Sequence, residues 1–302
     1  MKKNNLSILI LTISSLIIYS CSNNENEEEV LICTEDNYKI PIDKLLSKLT
    51  TTHPGHLPTI RNYEYSYDDY NLLTQKNEYT FDYDQYKNYT YCNNNLNEIS
   101  NNKNSLSYSF GYDASNRLIS YKTTNSYLHD YILEYTENNI IVSGIINKKA
   151  NTTIVLETNS TGLVTKISRN EGYSTFSYDD NGNLIGVIDV DYNSGVPIKE
   201  FEIIYDTNPN PFYGQLQSSY LDRFIDYFGT SAFLGIDVFF RFDQSKFPYL
   251  KNNPTLLKFK NCSACYTNLL KRTYEYDAQN YPIKMEESHV GAPPVIYEYL
   301  YN

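Results

Sequence analysis

Residues 108–122, YSFGYDASNRLISYK, and residues 176–190, FSYDDNGNLIGVIDV, follow one plan: an aromatic run, a Tyr-Asp, a polar turn and an aliphatic run. In the first copy Leu106, Tyr108, Phe110 and Tyr112 alternate with Ser107, Ser109, Gly111 and Asp113. A period of two marks a strand with one aromatic face. In the second copy Asn181-Gly182 separates the runs, the strongest short-range hairpin signal because both residues tolerate positive φ. An aspartate after the tyrosine accepts hydrogen bonds from turn amides, so Tyr-Asp marks a strand end. Each copy predicts a β-hairpin.

Equivalent positions are held by Tyr67, Tyr91, Tyr112, Tyr135, Leu156, Tyr178 and Tyr205, in steps of 21 to 27 residues, and Tyr276 opens a last copy after a jump of 71. Two strands per copy give about 14 to 16 strands in an all-β, up-and-down antiparallel meander, a curved sheet or barrel-like closure. Two segments break the pattern. In PIDKLLSKL the residues Ile42, Leu45, Leu46 and Leu49 have helical spacing and predict a short N-terminal helix. In the jump, Leu216, Tyr220, Phe224 and Phe228 recur every four residues and Gly229 follows, which predicts a helical insertion at about 212–262. Next comes the apolar SAFLGIDVFFRF. The insertion is expected to cover a mouth or face of the sheet, as a plug or as a lid.

The N-terminus predicts location. Lys2 and Lys3 precede an apolar run, Leu6 to Tyr19, that is short of the roughly 20 residues a spanning helix needs, so residues 1–20 read as an export signal. The run ends IIYSC, which resembles a bacterial lipobox with Cys21 as the lipidated residue. Residues 21–32, polar and acidic up to Val30, read as a disordered tether. Residues 33–54 read as a linker with the short helix, and 55–302 as the β-domain. Acidic residues behind the cysteine also resemble the export signal of surface lipoproteins in Bacteroidota-type Gram-negatives. The expected location is the outer membrane, lipid-anchored and at the cell surface, with the periplasmic face as the alternative.

The formal charge of -11 excludes a nucleic-acid partner, since nothing would replace phosphate counterions. Besides Cys21, the chain has Cys33, Cys92, Cys262 and Cys265. In an exported protein four cysteines read as structural disulfides or buried thiols, with three pairings open. Cys262 and Cys265 form a C-x-x-C, but without a βαβ pattern or a second such motif they suggest neither redox nor zinc chemistry.

YDASNRL and YDDNGNL resemble the YD repeats of Rhs-type proteins. A closer resemblance, over residues 55–302, is to Bacteroidota lipoproteins carrying a domain of unknown function described as porin-like. It rests on the lipobox, scattered YD hairpins, YDTNPNPF (Tyr205 to Phe212), the helical insertion, KNNPT (Lys251 to Thr255) and YEYDAQNYPIKM. That resemblance implies an antiparallel β-fold without assigned activity, and no catalytic residues. "Porin-like" then describes shape, because a transmembrane barrel needs a lipid-facing apolar band, and many outward candidates here are Ser, Thr, Glu and Asn.

Chemistry-bearing motifs are sparse. In DVDYNSGVPIKE the residues Asp189, Asp191, Asn193 and Glu200 stand at positions 1, 3, 5 and 12 of an EF-hand-like calcium loop, but the glycine, Gly195, falls at seven rather than six. The same stretch reads as a hairpin with Asp189 and Asp191 on one exposed face. His53 and His56 flank a Pro-Gly turn without an acidic partner. The pairs Asp68/Asp69 and Asp179/Asp180 are turn formers, since adjacent strand residues face opposite ways. The ladders Tyr63, Tyr65, Tyr67 and Tyr297, Tyr299, Tyr301 read as the inner face of the sheet; exposed, they would stack sugars. No cofactor is expected. The leading reading is a non-enzymatic, membrane-tethered binding or scaffold module, its partner a glycan or a surface protein. The alternatives are a carrier holding a lipophilic ligand between sheet and insertion, with Tyr220, Phe224 and Phe228 in contact, and, last, a glycan hydrolase.

Overall fold

The computed structural model describes residues 38–55, 59–103, 105–124, 128–170, 172–191, 194–229, 248–262, 265–289 and 291–302, without the side chains of 261–266. They belong to one compact unit, Leu31–Asn302. The export signal, Cys21, the tether, Cys33, His56, Asn193 and the apolar run 231–242 lie outside the described residues.

Eighteen strands follow one another among these residues. They are β1 (Leu46–His53), β2 (Thr59–Tyr67), β3 (Leu73–Tyr79), β4 (Asp84–Cys92), β5 (Asn95–Asn101) and β6 (Ser107–Tyr112). Then come β7 (Leu118–Thr123), β8 (Asp130–Tyr135), β9 (Ile140–Ile146), β10 (Lys149–Thr158), β11 (Val164–Arg169) and β12 (Gly172–Tyr178). The last six are β13 (Leu184–Asp191), β14 (Pro197–Pro209), β15 (Asn252–Cys262), β16 (Cys265–Tyr276), β17 (Pro282–His289) and β18 (Val295–Tyr301). Each strand pairs antiparallel with the next, and β18 returns to pair with β1. The sheet is therefore a closed up-and-down barrel. Closure removes the unpaired edges that an open meander of this length would offer to other chains.

The tyrosine repeat is explained by one recurring bond. At the end of the even strands the phenol reaches sideways and donates to the first carbonyls of the preceding strand. The pairs are Tyr67 to Leu46 O, Tyr91 to Leu73 O, Tyr112 to Leu96 O, Tyr135 to Leu118 O, Tyr178 to Val164 O, Tyr205 to Leu184 O, Tyr274 to Pro254 O and Tyr301 to Pro282 O, all 2.7–3.0 Å. Burial pushes the phenols of Tyr91, Tyr178 and Tyr205 well up, so they remain protonated donors. Leu156 in β10 has no hydroxyl and leaves its step without the bond.

The following acid closes the turn. Asp68, Asp113, Asn159, Asp179 and Asp277 each accept, through one side-chain oxygen, the amides two and four residues on, at 2.8–3.0 Å. Three residues after each of these Asp or Asn residues the backbone is left-handed, at Asn71, Asn116, Gly162, Gly182 and Asn280, where glycine or asparagine is tolerated. Only Gly182 of the Asn181-Gly182 pair has positive φ, so this is a longer Asp-bracketed turn rather than the two-residue turn its sequence suggests. Replacing Tyr112 by phenylalanine is expected to cost about 1 kcal/mol, because Leu96 O loses its donor inside the barrel. Urea unfolding checks this; an unchanged midpoint would show that the phenol bond is idle.

The predicted helix over Ile42 to Leu49 is not formed: Leu46–His53 is β1. The ladder with β18 shifts register between Leu46 and Lys48. That extra residue brings Leu46 and Leu49, three apart, to the same inner face, both buried, and a bulged strand imitates helical spacing.

The inner face of the wall is mainly apolar, and the outer face mixes ion pairs with single exposed apolar side chains such as Ile132, Ile204 and Leu300. Tyr63, Phe110, Tyr131, Phe176, Phe201 and Tyr297 face inward and are buried. Outward positions carry cross-strand pairs: Glu157–Lys166 (2.7 Å), Glu200–Lys260 (2.5 Å), Glu202–Lys258 (3.0 Å) and Glu275–Lys284 (2.8 Å). Ion pairs of this kind interrupt the apolar band that the outer face of a lipid-embedded barrel carries.

Cys92 is disulfide-bonded. It ends β4 at the end of the barrel where the Tyr-Asp turns lie, whereas Cys262 and Cys265 oppose each other at the other end. Two residues on, Asn94 clasps the backbone of Tyr38, five residues after Cys33, through two 2.8 Å bonds. Peptide mapping without reductant is expected to recover a Cys33–Cys92 link. A Cys92 peptide joined to Cys262 or Cys265 would contradict this arrangement.

Candidate functional site

The insertion between β14 and β15, residues 210–251, starts and ends at the Tyr-Asp end and is fastened strand by strand. It is shorter than the expected 212–262 because residues 252–262 belong to β15. Phe212 meets the edge of Tyr65 at 5.7 Å between centroids. Gln215 accepts from Leu73 N and donates to Asn71 O, and Ser218 Oγ accepts from Leu96 N. After a 3-10 turn, Gln217–Ser219, comes α1 (Tyr220–Phe228), as its four-residue spacing predicted. Arg169 donates to Phe228 O at 2.8 Å, a cation at the helix C-terminus.

Tyr220, Phe224 and Phe228 are on the wall-facing side of α1. Phe176 meets Phe224 at 4.7 Å and Phe228 at 5.1 Å, and Tyr220 accepts from Val164 N at 3.0 Å. With Phe224 and Phe228 fully buried, these contacts occupy the space between helix and sheet.

The calcium quartet does not converge. Asp189 is opposite Ser174 and Lys199 on the inner face, where Arg169 Nη2 and Ser174 Oγ donate to it at 2.8 Å. Asp191 accepts from Ser194 N. Glu200, one residue past Lys199, faces out to Lys260. The exposed aspartate face of the sequence reading is corrected accordingly: Asp189 lies inside the barrel. Among the described residues no cluster of three His, Cys, Asp or Glu is placed to hold a metal.

At the opposite end the inner face carries charges that sequence reading missed. Arg272 Nε and Nη2 lie 2.8 and 2.7 Å from Glu287 Oε2, both side chains 2% exposed, and His289 Nε2 lies 2.8 Å from Glu287 Oε1. Burial pushes the Glu287 carboxyl up, but Arg272 and His289 outweigh it and hold it below the usual carboxylate range. Burial, with Arg61 adding to it, lowers His53. The signal was available: Leu270, Arg272, Tyr274 and Met285, Glu287, His289 alternate in step with the aromatic face. An imidazole oriented by a buried carboxylate resembles a general base, which needs a nucleophile within hydrogen-bond reach. Thr51 is level with Met285 through Tyr297, four residues from His289, or about 13 Å along the strand. No hydrolytic pair is assembled between them.

Ligand-sized space is found at the plugged rim. Residues Tyr38 to Lys44 run across the insertion as a strap: Ile40 N donates to Tyr70 O, Asn71 Nδ2 donates to Ile40 O, and Lys44 pairs with Asp277. A cleft of about 280 Å³ lies on one side, among Tyr38, Ile40, Leu72, Asn94, Leu216 and Gln217. A second, about 230 Å³, lies on the other, among Asp43, Lys44, Thr207, Asn210, Lys251 and Tyr281. Pro41, Ile42 and Tyr213 line both.

No protein-family model matches this sequence, and no curated protein matches it. Among solved structures it is similar to a porin-like protein from Bacteroides uniformis ATCC 8492, with 10% identity over 85% of this chain and 98% of that one, TM-score 0.47. A porin-like protein from Bacteroides vulgatus ATCC 8482 follows, with 15% identity over 86% and 99%, TM-score 0.41. The Tc holotoxin pore of Photorhabdus luminescens is weaker, with 9% identity over 81% of this chain and 15% of that one, TM-score 0.26.

Proposed function

We propose that the chain is a non-enzymatic lipoprotein of the outer membrane, presented at the cell surface, held by lipid on Cys21 and serving as a binding or scaffold module. The observation that carries this reading is the barrel wall: aromatic and packed inside, laced with carboxylate–ammonium pairs outside. A wall of that kind favours water on its outer face, so membrane attachment falls to the N-terminal lipid. Two or more acyl chains on one cysteine give stable anchoring at about 0.8 kcal/mol per buried methylene. The non-enzymatic part is supported by the distance between His289 and Thr51 and by Asp68 and Asp179 being used up in turns. Against a lipophilic carrier stand the Phe176 contacts of Phe224 and Phe228.

The test is extraction of purified outer membranes with protease shaving of intact cells, wild type against Cys21→Ala. Wild type is expected in the membrane and sensitive to protease, the variant in the soluble fraction. Retention of both in the membrane would overturn the lipid-anchor reading, and protection from protease would move the protein to the periplasmic face.

A further inference from the structure

We propose that the strap-divided groove at the plugged rim is a binding site for a neutral oligosaccharide, with one sugar-ring subsite on each side of the strap. The proposal rests on the binding-module reading and adds a site and a ligand class to it.

The first ground is the state of the tyrosines. Along the barrel the repeat phenols are spent on carbonyls, but Tyr38 and Tyr213, which line the clefts, stand 69% and 42% exposed, and their hydroxyls make no hydrogen bond within the described residues. Exposed rings with unspent hydroxyls match a ligand that has both a C–H face and a rim of hydroxyl groups. The second ground is continuity. Pro41, Ile42 and Tyr213 wall both clefts, so the two lie side by side and one tyrosine is within reach of a ligand in either. Each cleft falls just below the roughly 300–1,000 Å³ of pockets that take a whole drug-sized molecule, and two adjacent ring-sized subsites describe an oligomer.

The third ground is charge. Lys44 is paired with Asp277; Lys251 keeps its charge, with one donor on Asn181 Oδ1 at 3.3 Å, and shares its cleft with Asp43, so the groove carries no surplus of cations. The acidic turns of Asp68, Asp179 and Asp277 occupy the same end, which disfavours polyanions. Beside these balanced charges the groove edge offers amide and hydroxyl chemistry from Gln217, Thr207 and Tyr281. Among the described strands none has an open edge, so a peptide could not bind by strand addition.

The experiment is isothermal titration of the full chain carrying Cys21→Ala with neutral hexasaccharides of α-glucose, β-glucose, xylose and mannose. At least one is expected to bind. Tyr213→Ala should weaken it tenfold or more and Tyr38→Ala by a smaller factor, Tyr213→Phe should keep most of the affinity, and Phe81→Ala, an exposed aromatic at the opposite end, should bind as wild type. All are read against unchanged far-ultraviolet circular dichroism. Absence of binding to every hexasaccharide, or full binding by Tyr213→Ala, overturns the site. Either result beside a Cys21-dependent membrane fraction leaves the tethered-module reading standing, whereas glycan binding without that dependence would overturn the anchor alone.

Discussion

Replacing Glu287 by glutamine is expected to lower the stability of the barrel by about 3–5 kcal/mol at neutral pH, because it leaves the Arg272 guanidinium buried without a counter-charge. Both side chains of the pair are 2% exposed, so water cannot take over. The variant should also lose part of the acid sensitivity. Glu287 has a folded pKa below its unfolded value of 4.5, so its stabilisation is present above about pH 4.5 and disappears as pH falls through the folded value. Asp113 and Asp277 are also held low, so the acid limb shrinks in the variant rather than vanishing. Urea midpoints from pH 3 to 8 test both parts. Equal midpoints at pH 7, or an acid limb as steep as in wild type, would contradict them. The double replacement Arg272→Met with Glu287→Leu is expected to recover much of the loss, since buried pairs replaced by apolar side chains are often neutral or better.

Those two residues also show where the sequence stops being informative. Alternation alone put Tyr63, Tyr65, Tyr297 and Tyr299 inside, and the structure agrees. The same alternation extends to Arg272 and Glu287, which the sequence reading passed over, because a charge at an inward position contradicts the expectation that polar residues face water, and only their mutual register makes it tolerable. Spacing found α1 because one helix face is a local property. It misread Ile42 to Leu49 because a bulge, which depends on the partner strand, gives two strand residues three apart one face.

Closure was beyond reach for a related reason. The eight repeated turns account for β2 to β17, sixteen strands. The remaining two, β1 and β18, pair with each other across the chain: Leu49 opposite Tyr299, Thr51 opposite Tyr297. No local pattern announces a bond between residues so far apart. Tyr301 gives a hint in retrospect, since it bonds to Pro282 O as the other repeat tyrosines bond to their neighbours. At the candidate site the lesson is parity. Positions 189 and 200 look like two ligands of one loop in sequence, yet the ladder sets Asp189 against Lys199, and Glu200 is thereby turned to the outer wall. The rim groove was legible only in pieces: YDTNPNPF, KNNPT and YEYDAQNYPIKM supply Thr207, Asn210, Lys251 and Tyr281 to its second cleft, but no spacing joins them to the strap or to Leu72 and Asn94, which wall the first.

Above about pH 7, Asp222→Asn is expected to be more stable than wild type, by up to about 4 kcal/mol, with the difference closing on acidification. Asp222 lies on α1 inside the barrel, 0% exposed; among the described residues its carboxylate oxygens meet no side-chain donor, and only the nearby amides of Asp222 and Arg223 favour its ionised form from the backbone. The nearest cation, Arg223 Nε, is 3.8 Å away, too long for a hydrogen bond. The charges and phenols that act on Asp222 include Asp226 on the same helix, together with Tyr121, Tyr131 and Tyr249. Burial pushes the Asp222 carboxyl up to about 7, with Arg223 opposing and Asp226 adding to it. A raised carboxyl binds its proton in the folded state while the unfolded chain has released it, so stability falls as pH rises from about 3.8 to about 7. Three pK units at 1.36 kcal/mol each set the scale. Asparagine keeps the shape and removes the titration. Urea midpoints from pH 4 to 9 should therefore decline for wild type across this window and stay flatter for the variant. Parallel profiles would show that the carboxylate finds a partner when it ionises. A variant less stable than wild type at pH 8 would show that the Asp222–Arg223 attraction outweighs burial.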